Sequence, residues 1–256
     1  MILEGKKILV TGVTLDTSIA YAVADFATQQ GAQVIVSNIP RAVSLTKRVV
    51  KHIDPTPEVL ALDVNDDEAM ANLPGQLRKN GFDHLDGIVH SIAYANPERA
   101  LGGAFLSTQW EDVAVALQTS AFSLKSLTMS LRELLGSGSS IVGLTFDNSL
   151  SWPSYDWMGV AKSALESTSR YLARYLGPDN IRCNLVAAGP IDTIAKKAIP
   201  GEVDFNKVWA ERAPLGWNAK DAYPVGKAVC ALLSDLFPAT TGQMIHVDGG
   251  LSSTGA

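Results

Sequence analysis

Short runs of β-branched and aliphatic residues recur along this chain at 7–11, 33–37, 59–62, 87–91, 140–144, 181–186 and 244–247, and their alternation with longer amphipathic stretches restricts the available folds more than any single motif. Helical periodicity falls at about 18–30, 42–51, 66–80, 108–134, 154–176 and 220–235. Ser18 can cap the first of these helices and Gly31 can end it. Strands that are apolar on both sides and separated by helices imply a parallel sheet covered on both faces. The expected class is therefore α/β, a doubly wound, Rossmann-like sheet. With 256 residues, 46% of them hydrophobic, the chain can bury a full core. It shows no repeat, low-complexity tract or linker, so one domain is expected over 1–256.

Composition narrows the partners. A net charge of −5, with no long basic run, disfavours nucleic acid and anionic membrane as principal partners and points to a small ligand. Cys183 and Cys230 are too few for a disulfide framework, and the four histidines lack metal-ligand spacing, so no metal site is expected. His90, inside an apolar run, reads as a hydrogen-bonded core histidine. The chain starts in a strand pattern without a basic leader, and no apolar stretch reaches about 18 residues, so a reducing, cytoplasmic setting is expected.

Ligands of doubly wound sheets bind beyond the carboxyl ends of the strands, and the residues there are informative. Thr11-Gly12-Val13-Thr14-Leu15-Asp16-Thr17-Ser18-Ile19-Ala20 turns directly into a helix whose first amides can receive a pyrophosphate. Gly12 is its only glycine, so the usual triplet is not met, and for the motif alone an ordinary strand-to-helix turn is the better reading. Asp63-Val64 offers a carboxylate to an adenine amino group and an apolar side chain to the ring; a helix cap is the other reading of Asp63. Ser91-Ile92-Ala93 lets a cofactor approach the backbone. After the sixth strand, Thr193 can reach a phosphate and Ile191 can offer its amide to a carboxamide.

The helix expected over 154–176 carries Tyr155 and Lys162 with six residues between them. A seven-residue step turns through about 700°, which leaves both on one face roughly 10.5 Å apart along the axis. Such a pair suits a redox cofactor: the ammonium holds a ribose while the phenol donates to a substrate oxygen that becomes negative. With Trp157 and Met158 adjacent, the same face also suits a helix that packs its aromatic side into a core.

Taken together, Gly12 with Ser18-Ile19-Ala20, Asp63-Val64, Val89-His90-Ser91-Ile92, Phe146, the Tyr155/Lys162 pair within a run that continues to Glu166, Asn184 through Ile191, and Thr240 through Gly250 resemble the enoyl-acyl carrier protein reductases. These belong to the short-chain dehydrogenase/reductase superfamily, and the likeness to the mycobacterial type covers nearly the whole chain. Most superfamily members keep a three-residue gap between tyrosine and lysine. A ketoreductase would also place a serine thirteen residues before the tyrosine, where this chain has Val142.

The resemblance implies reduction of a trans-2-enoyl thioester, carried by acyl carrier protein or coenzyme A, in fatty acid synthesis. It assigns Tyr155 to the enolate oxygen, Lys162 to the nicotinamide ribose, and Phe146 to an aromatic wall, although core packing would also explain Phe146. It places Gly12, Val13, Ser18, Ile19, Ile39, Asp63, Val64, Ser91, Ile92, Ala93, Lys162, Ile191 and Thr193 around the cofactor. Ser37-Asn38-Ile39-Pro40-Arg41 offers no acid for a ribose 2′-hydroxyl, and Arg41 leaves NADPH open, but relatives with a similar stretch use NADH, which is the expectation here. Residues 192–217 correspond to a mobile lid, with Ile194, Ala195, Ile199, Phe205, Val208 and Trp209 as an apolar wall; of these Ala195, Ile199 and Trp209 join Tyr155 and Phe146 as expected substrate contacts. A surface helix with an apolar stripe is the plainer reading of that segment. Its short length and Lys196-Lys197 imply a medium-chain substrate, with either lysine meeting the phosphopantetheine phosphate or an acidic carrier protein. A homotetramer is implied, with Asp248-Gly249-Gly250-Leu251 at a subunit contact. Another carbonyl reductase, a nicotinamide-binding regulator and a structural subunit of a synthase remain as alternatives.

Overall fold

The computed structural model describes residues 1–201 and 204–254. Glu202 and Val203, within the expected lid, and Gly255 and Ala256, at the end of the expected domain span, lie outside the described residues. Strands β1 (Lys7–Thr11), β2 (Gln33–Asn38), β3 (Glu58–Ala61), β4 (Leu85–His90), β5 (Leu135–Thr145), β6 (Arg182–Ala188) and β7 (Met244–Val247) form one parallel sheet in the order β3-β2-β1-β4-β5-β6-β7. This is the doubly wound, Rossmann-like arrangement expected. The helices are α1 (Ile19–Gln29), α2 (Val43–Val49), α3 (Asp67–Lys79), α4 (Trp110–Leu117), α5 (Ser123–Ser130), α6 (Asp156–Leu176), α7 (Ile194–Lys197), α8 (Phe205–Arg212) and α9 (Tyr223–Leu233).

The central residues of β1, β2, β4 and β5 are apolar because successive residues serve opposite layers. Val10, Val36, Val89 and Val142 pack with Val23 and Ala27 of α1 and Val225 and Val229 of α9. Their neighbours Leu9, Ile35, Ile88 and Ile141 pack on the other face with Leu73 and Leu77 of α3, Leu124 and Leu127 of α5, and Leu165 and Leu172 of α6. Each such buried side chain contributes about 1.5–3 kcal/mol. Strand order reverses between β1 and β4, and there the chain leaves the sheet in opposite directions, opening a crevice at the carboxyl edge.

Three local features depart from the periodic reading. The helix expected over 108–134 is interrupted by a π turn at Gln118–Phe122, where small polar side chains bond outside the helix: Ser120 Oγ donates to the Tyr94 carbonyl at 3.0 Å and accepts from the Tyr94 amide at 2.9 Å. β5 begins at Leu135, because Gly136, Ser137 and Gly138 extend the strand without apolar side chains. Tyr155 is the cap residue of α6 and not part of its interior.

A buried cation ties β6, the strand next to the sheet edge, to α9. Arg182, on β6, donates through Nη1 to the Leu232 carbonyl at 2.8 Å and through Nη2 to the Ser234 carbonyl at 2.9 Å, so a guanidinium closes the negative end of α9. Burial lowers its pKa, yet an arginine stays charged. Arg182→Leu is expected to leave these carbonyls underbonded and to lower the unfolding free energy by about 2–3 kcal/mol. Urea titration checks this, and an unchanged midpoint would show that the guanidinium does not hold α9.

Candidate active site

A cleft of about 810 Å³ opens at the β1/β4 reversal. Gly12 adopts φ of 80°, and a Cβ there would overlap the Ser91 carbonyl, so only glycine lets the β1–α1 turn pass the segment after β4. Thr11 stitches the two strands, donating through Oγ1 to the Val89 carbonyl at 2.9 Å and accepting from the Ser91 amide at 3.2 Å. Ser18 caps α1, its Oγ accepting from the Tyr21 amide at 3.2 Å, and Ser18 and Ile19 line the cleft where that helix begins. Asp63, Val64, Ile92 and Ala93 line it further along, and Asp63 accepts from the Asn65 amide at 3.0 Å. The N-cap of α3 is Asp66, which leaves Asp63 outside that role.

At the end of β2, Asn38 is buried and fully committed. Its Nδ2 donates to the Val13 carbonyl at 2.7 Å and to Thr46 Oγ1 at 3.1 Å, and its Oδ1 accepts from the Ile39 amide at 2.8 Å. Ile39 lines the cleft, and Arg41 stands exposed at its mouth.

A second, smaller cavity of about 290 Å³ adjoins the cleft. Lys162, Ile19, Thr193 and Ala195 line both spaces, whereas Tyr155, Phe146, Ile191 and Ile199 line only the smaller one. The phenol and the ammonium therefore share one wall, with the lysine at the junction. The Phe146 ring meets Tyr155 edge-on, with centroids 5.1 Å apart. Lys162 Nζ donates to the Leu144 carbonyl at 3.0 Å. Burial acts on three groups here. It raises the Tyr155 phenol well above its ordinary pKa, lowers the Lys162 ammonium to about 8, and, aided by the charge of Lys162, lowers His90 to about 3. His90 is thus neutral. Ser123 Oγ donates to the Thr119 carbonyl at 2.7 Å, so the 2.7 Å contact between that hydroxyl and His90 Nε2 has the imidazole N–H as donor.

Two expected contacts lie elsewhere. Val13 is fully buried in the layer against α1 and touches neither cavity; only its carbonyl bears on the site, as the acceptor for Asn38. Trp209 is 1% exposed and enclosed by Phe146, Trp152 and Phe205, its indole N–H unpaired among the described residues, so Phe205 of the same helix takes its place against the cavity. Val208 likewise packs on that aromatic cluster. Of the two lysines in the segment expected as a lid, Lys196 is engaged: Nζ donates to Asp192 Oδ1 at 2.7 Å and to Asn206 Oδ1 at 2.5 Å, while Asn206 Nδ2 donates to Asp192 at 2.9 Å. Lys197 is exposed. The sequence reading missed Tyr94, which lines both spaces, and Leu101 of the smaller one; Tyr94 follows Ser91-Ile92-Ala93 directly, and its position was the available signal.

The family model described as enoyl-(acyl carrier protein) reductase matches residues 12–252. A protein of Mycolicibacterium smegmatis named enoyl-acyl-carrier-protein reductase (NADH) is 42% identical, with 98% of each chain covered. An enoyl-acyl-carrier-protein reductase (NADPH) of Staphylococcus aureus is 38% identical with 97% of each covered, and an NADH-designated one of Neisseria meningitidis is 37% identical, covering 98% of this chain and 96% of the relative.

The buried lysine makes stability depend on pH. Between about pH 8 and its ordinary value of 10.5, Lys162 binds fewer protons in the folded than in the unfolded protein, so its destabilising effect is complete below about pH 8 and fades as pH rises toward 10.5. Lys162→Met is expected to exceed the wild type in stability at pH 7 and to lose that advantage by pH 10. The difference in urea midpoints checks it; a difference independent of pH would mean that the ammonium is hydrated in the folded chain.

Proposed function

This chain belongs to the enoyl-acyl carrier protein reductase family, and from that membership we propose that it reduces the trans-2 double bond of enoyl thioesters with hydride from NADH in fatty acid synthesis. The observation that carries the reading is the junction at Lys162, which lines both a cleft sized for a dinucleotide and the apolar cavity that holds Tyr155. The cleft fits such a group: Gly12 removes the Cβ that would obstruct the turn, the first turn of α1 opens on it, and Ile39 offers an apolar surface to an adenine. Gly12, Ser18, Ile19, Ile39, Asp63, Val64 and Ser91 through Ala93 would hold it, with Ile191 and Thr193 at the nicotinamide end.

Bound there, NADH would supply hydride to C3 of the enoyl group, and C2 of the resulting enolate would take a proton from solvent. As charge gathers on the thioester oxygen, Tyr155 donates a hydrogen bond to it. Burial keeps the phenol protonated and the surroundings poorly polarisable, the conditions under which one such donor is most effective. Lys162, anchored on the Leu144 carbonyl, has further N–H groups for ribose hydroxyls. Phe146 packs edge-on against Tyr155 and restricts its ring, and Ala195, Ile199 and Phe205 exclude water from the acyl side.

NADH is preferred because the end of β2 carries a saturated amide where a phosphate-binding group would be needed, and Arg41 is solvated at the mouth. The small cavity, at the lower end for small-molecule sites, supports a medium acyl chain. The substrate is carried by acyl carrier protein, and Lys197 meets its acidic surface or the phosphopantetheine phosphate, Lys196 being held within the lid. Subunits pair into a homotetramer through α4–α6, where Val115, Phe122, Met129, Tyr171 and Tyr175 are exposed. The enzyme works in the cytoplasm: Cys183 and Cys230 are free, buried thiols, and no helix among the described residues is long and apolar enough to cross a membrane.

Nicotinamide absorbance, followed with a medium-chain trans-2-enoyl thioester, with NADH and NADPH in parallel and a 3-oxoacyl thioester as control, tests the reading. Enoyl turnover with NADH is expected, falling by about 10²–10³ in Tyr155→Phe while NADH still binds; turnover of the 3-oxoacyl control alone would overturn it. Lys197→Ala is expected to raise KM for the carrier-bound substrate at low salt without changing kcat. An unaltered KM would remove Lys197 from docking.

A further inference from the structure

Tyr155 stands in a turn that its neighbours do not favour. Ser154 and Asp156, on either side, hold φ of 63° and 40°, a left-handed conformation that costs a residue with a Cβ roughly 1–2 kcal/mol. The turn persists because the segment between β4 and α4 grips it. Gly102 N donates to the Ser154 carbonyl at 2.9 Å, and Trp157 N donates to the Ala100 carbonyl at 3.2 Å. Trp157 Nε1 donates to the Phe105 carbonyl at 3.0 Å, and the two rings stack with centroids 4.9 Å apart. At the centre Gly103 N donates to Asp156 Oδ2 at 2.6 Å, and among the described residues this is the one tie in which the turn uses a charged side chain. The lid rests on the same spot: a Cβ on Gly201 would overlap Ser154 Oγ, and one on Gly102 would lie 2.9 Å from Pro200 Cγ.

We propose that Asp156 is a positioning residue for Tyr155. Its carboxylate, held by the Gly103 amide, binds the strained turn to the β4–α4 segment and so aims the phenol into the substrate cavity. The catalytic consequence rests on the reductase reading above. The same carboxylate also lies in the first turn of α6, where negative charge suits the helix dipole, and asparagine separates these two roles. It tolerates the left-handed conformation and keeps an oxygen for Gly103, but carries no charge. Glycine keeps the conformation without strain and removes the acceptor.

The test compares Asp156→Asn and Asp156→Gly in the full chain, by steady-state kinetics with NADH and enoyl thioester and by the ring-carbon resonances of labelled tyrosine, that of Tyr155 being identified by its loss in Tyr155→Phe. Asp156→Gly is expected to lower kcat about 10- to 100-fold with KM for NADH within about twofold, and to shift or broaden the Tyr155 resonance. Asp156→Asn is expected to stay within about threefold of the wild type in kcat and to leave that resonance in place. If the two variants behave alike, in turnover or in the resonance, the clamp does not place Tyr155 and the proposal is overturned. If the wild type reduces no enoyl thioester yet the resonance moves in Asp156→Gly alone, the reductase reading fails while the clamp stands.

Discussion

The Ser91 carbonyl occupies the space that a side chain on residue 12 would need, and the functional half of the molecule depends on that crowding. β1 and β4 are paired neighbours, yet the chain leaves β1 toward β2 and β4 toward β5. At the point of divergence the two exits run close together, tied through Thr11. Their closeness brings the start of α1, the end of β2 and the residues after β4 around one crevice. A bulkier residue 12 would push them apart, and the surface of the cleft would lose its continuity.

The same economy of space governs the chemistry. Tyr155, Lys162 and His90 all sit where water has been removed, and desolvation moves each toward its uncharged form: the phenol upward, the ammonium and the imidazole downward. The outcomes differ because the ordinary values differ. The phenol and the imidazole end far from neutrality and keep a single protonation state, as a donor and as a neutral link to Ser123. Lys162 alone arrives near the physiological range, so the charge state of the junction between the two cavities follows from burial and from whatever occupies the cleft.

The sheet was legible because its central strands serve two apolar layers, which leaves a short apolar run in each. The beginning of β5 escaped notice for the converse reason: Gly136 through Ser139 are held by backbone and hydroxyl bonds, such as Ser139 Oγ to the Leu85 carbonyl at 2.7 Å, and carry no apolar signal. Cleft residues could be named because the topology dictates where ligands bind, and Gly12, Asp63, Val64 and Ser91 all follow strands. Val13 follows one too, but the turn directs it into the core. Trp209 looked like a substrate wall by hydrophobicity alone; which member of an aromatic cluster faces the cavity is decided by packing among the rings. Helical spacing alone would put Tyr155 and Lys162 on one face only if both lay inside an unbroken helix. They share a wall although Tyr155 lies at the cap, since the turn before α6 brings the phenol in by a route that periodicity cannot describe.

The π turn at Gln118–Phe122 joins two buried stretches of chain. Upstream, Val113 and Ala116 are buried, and downstream Leu124 and Leu127 fill the layer beneath the sheet, while Thr119 and Ser120 between them must serve the loops around the cleft. An uninterrupted helix advances by about 100° per residue, so the surplus residue of the turn shifts Leu124 and Leu127 by about that angle relative to Val113 and Ala116. One surplus residue in the turn resets the phase. What this segment encodes is therefore length more than side-chain identity: loss of any one residue from it would rotate everything on one side of the deletion by more than a quarter turn, a change that no substitution within the segment could reproduce.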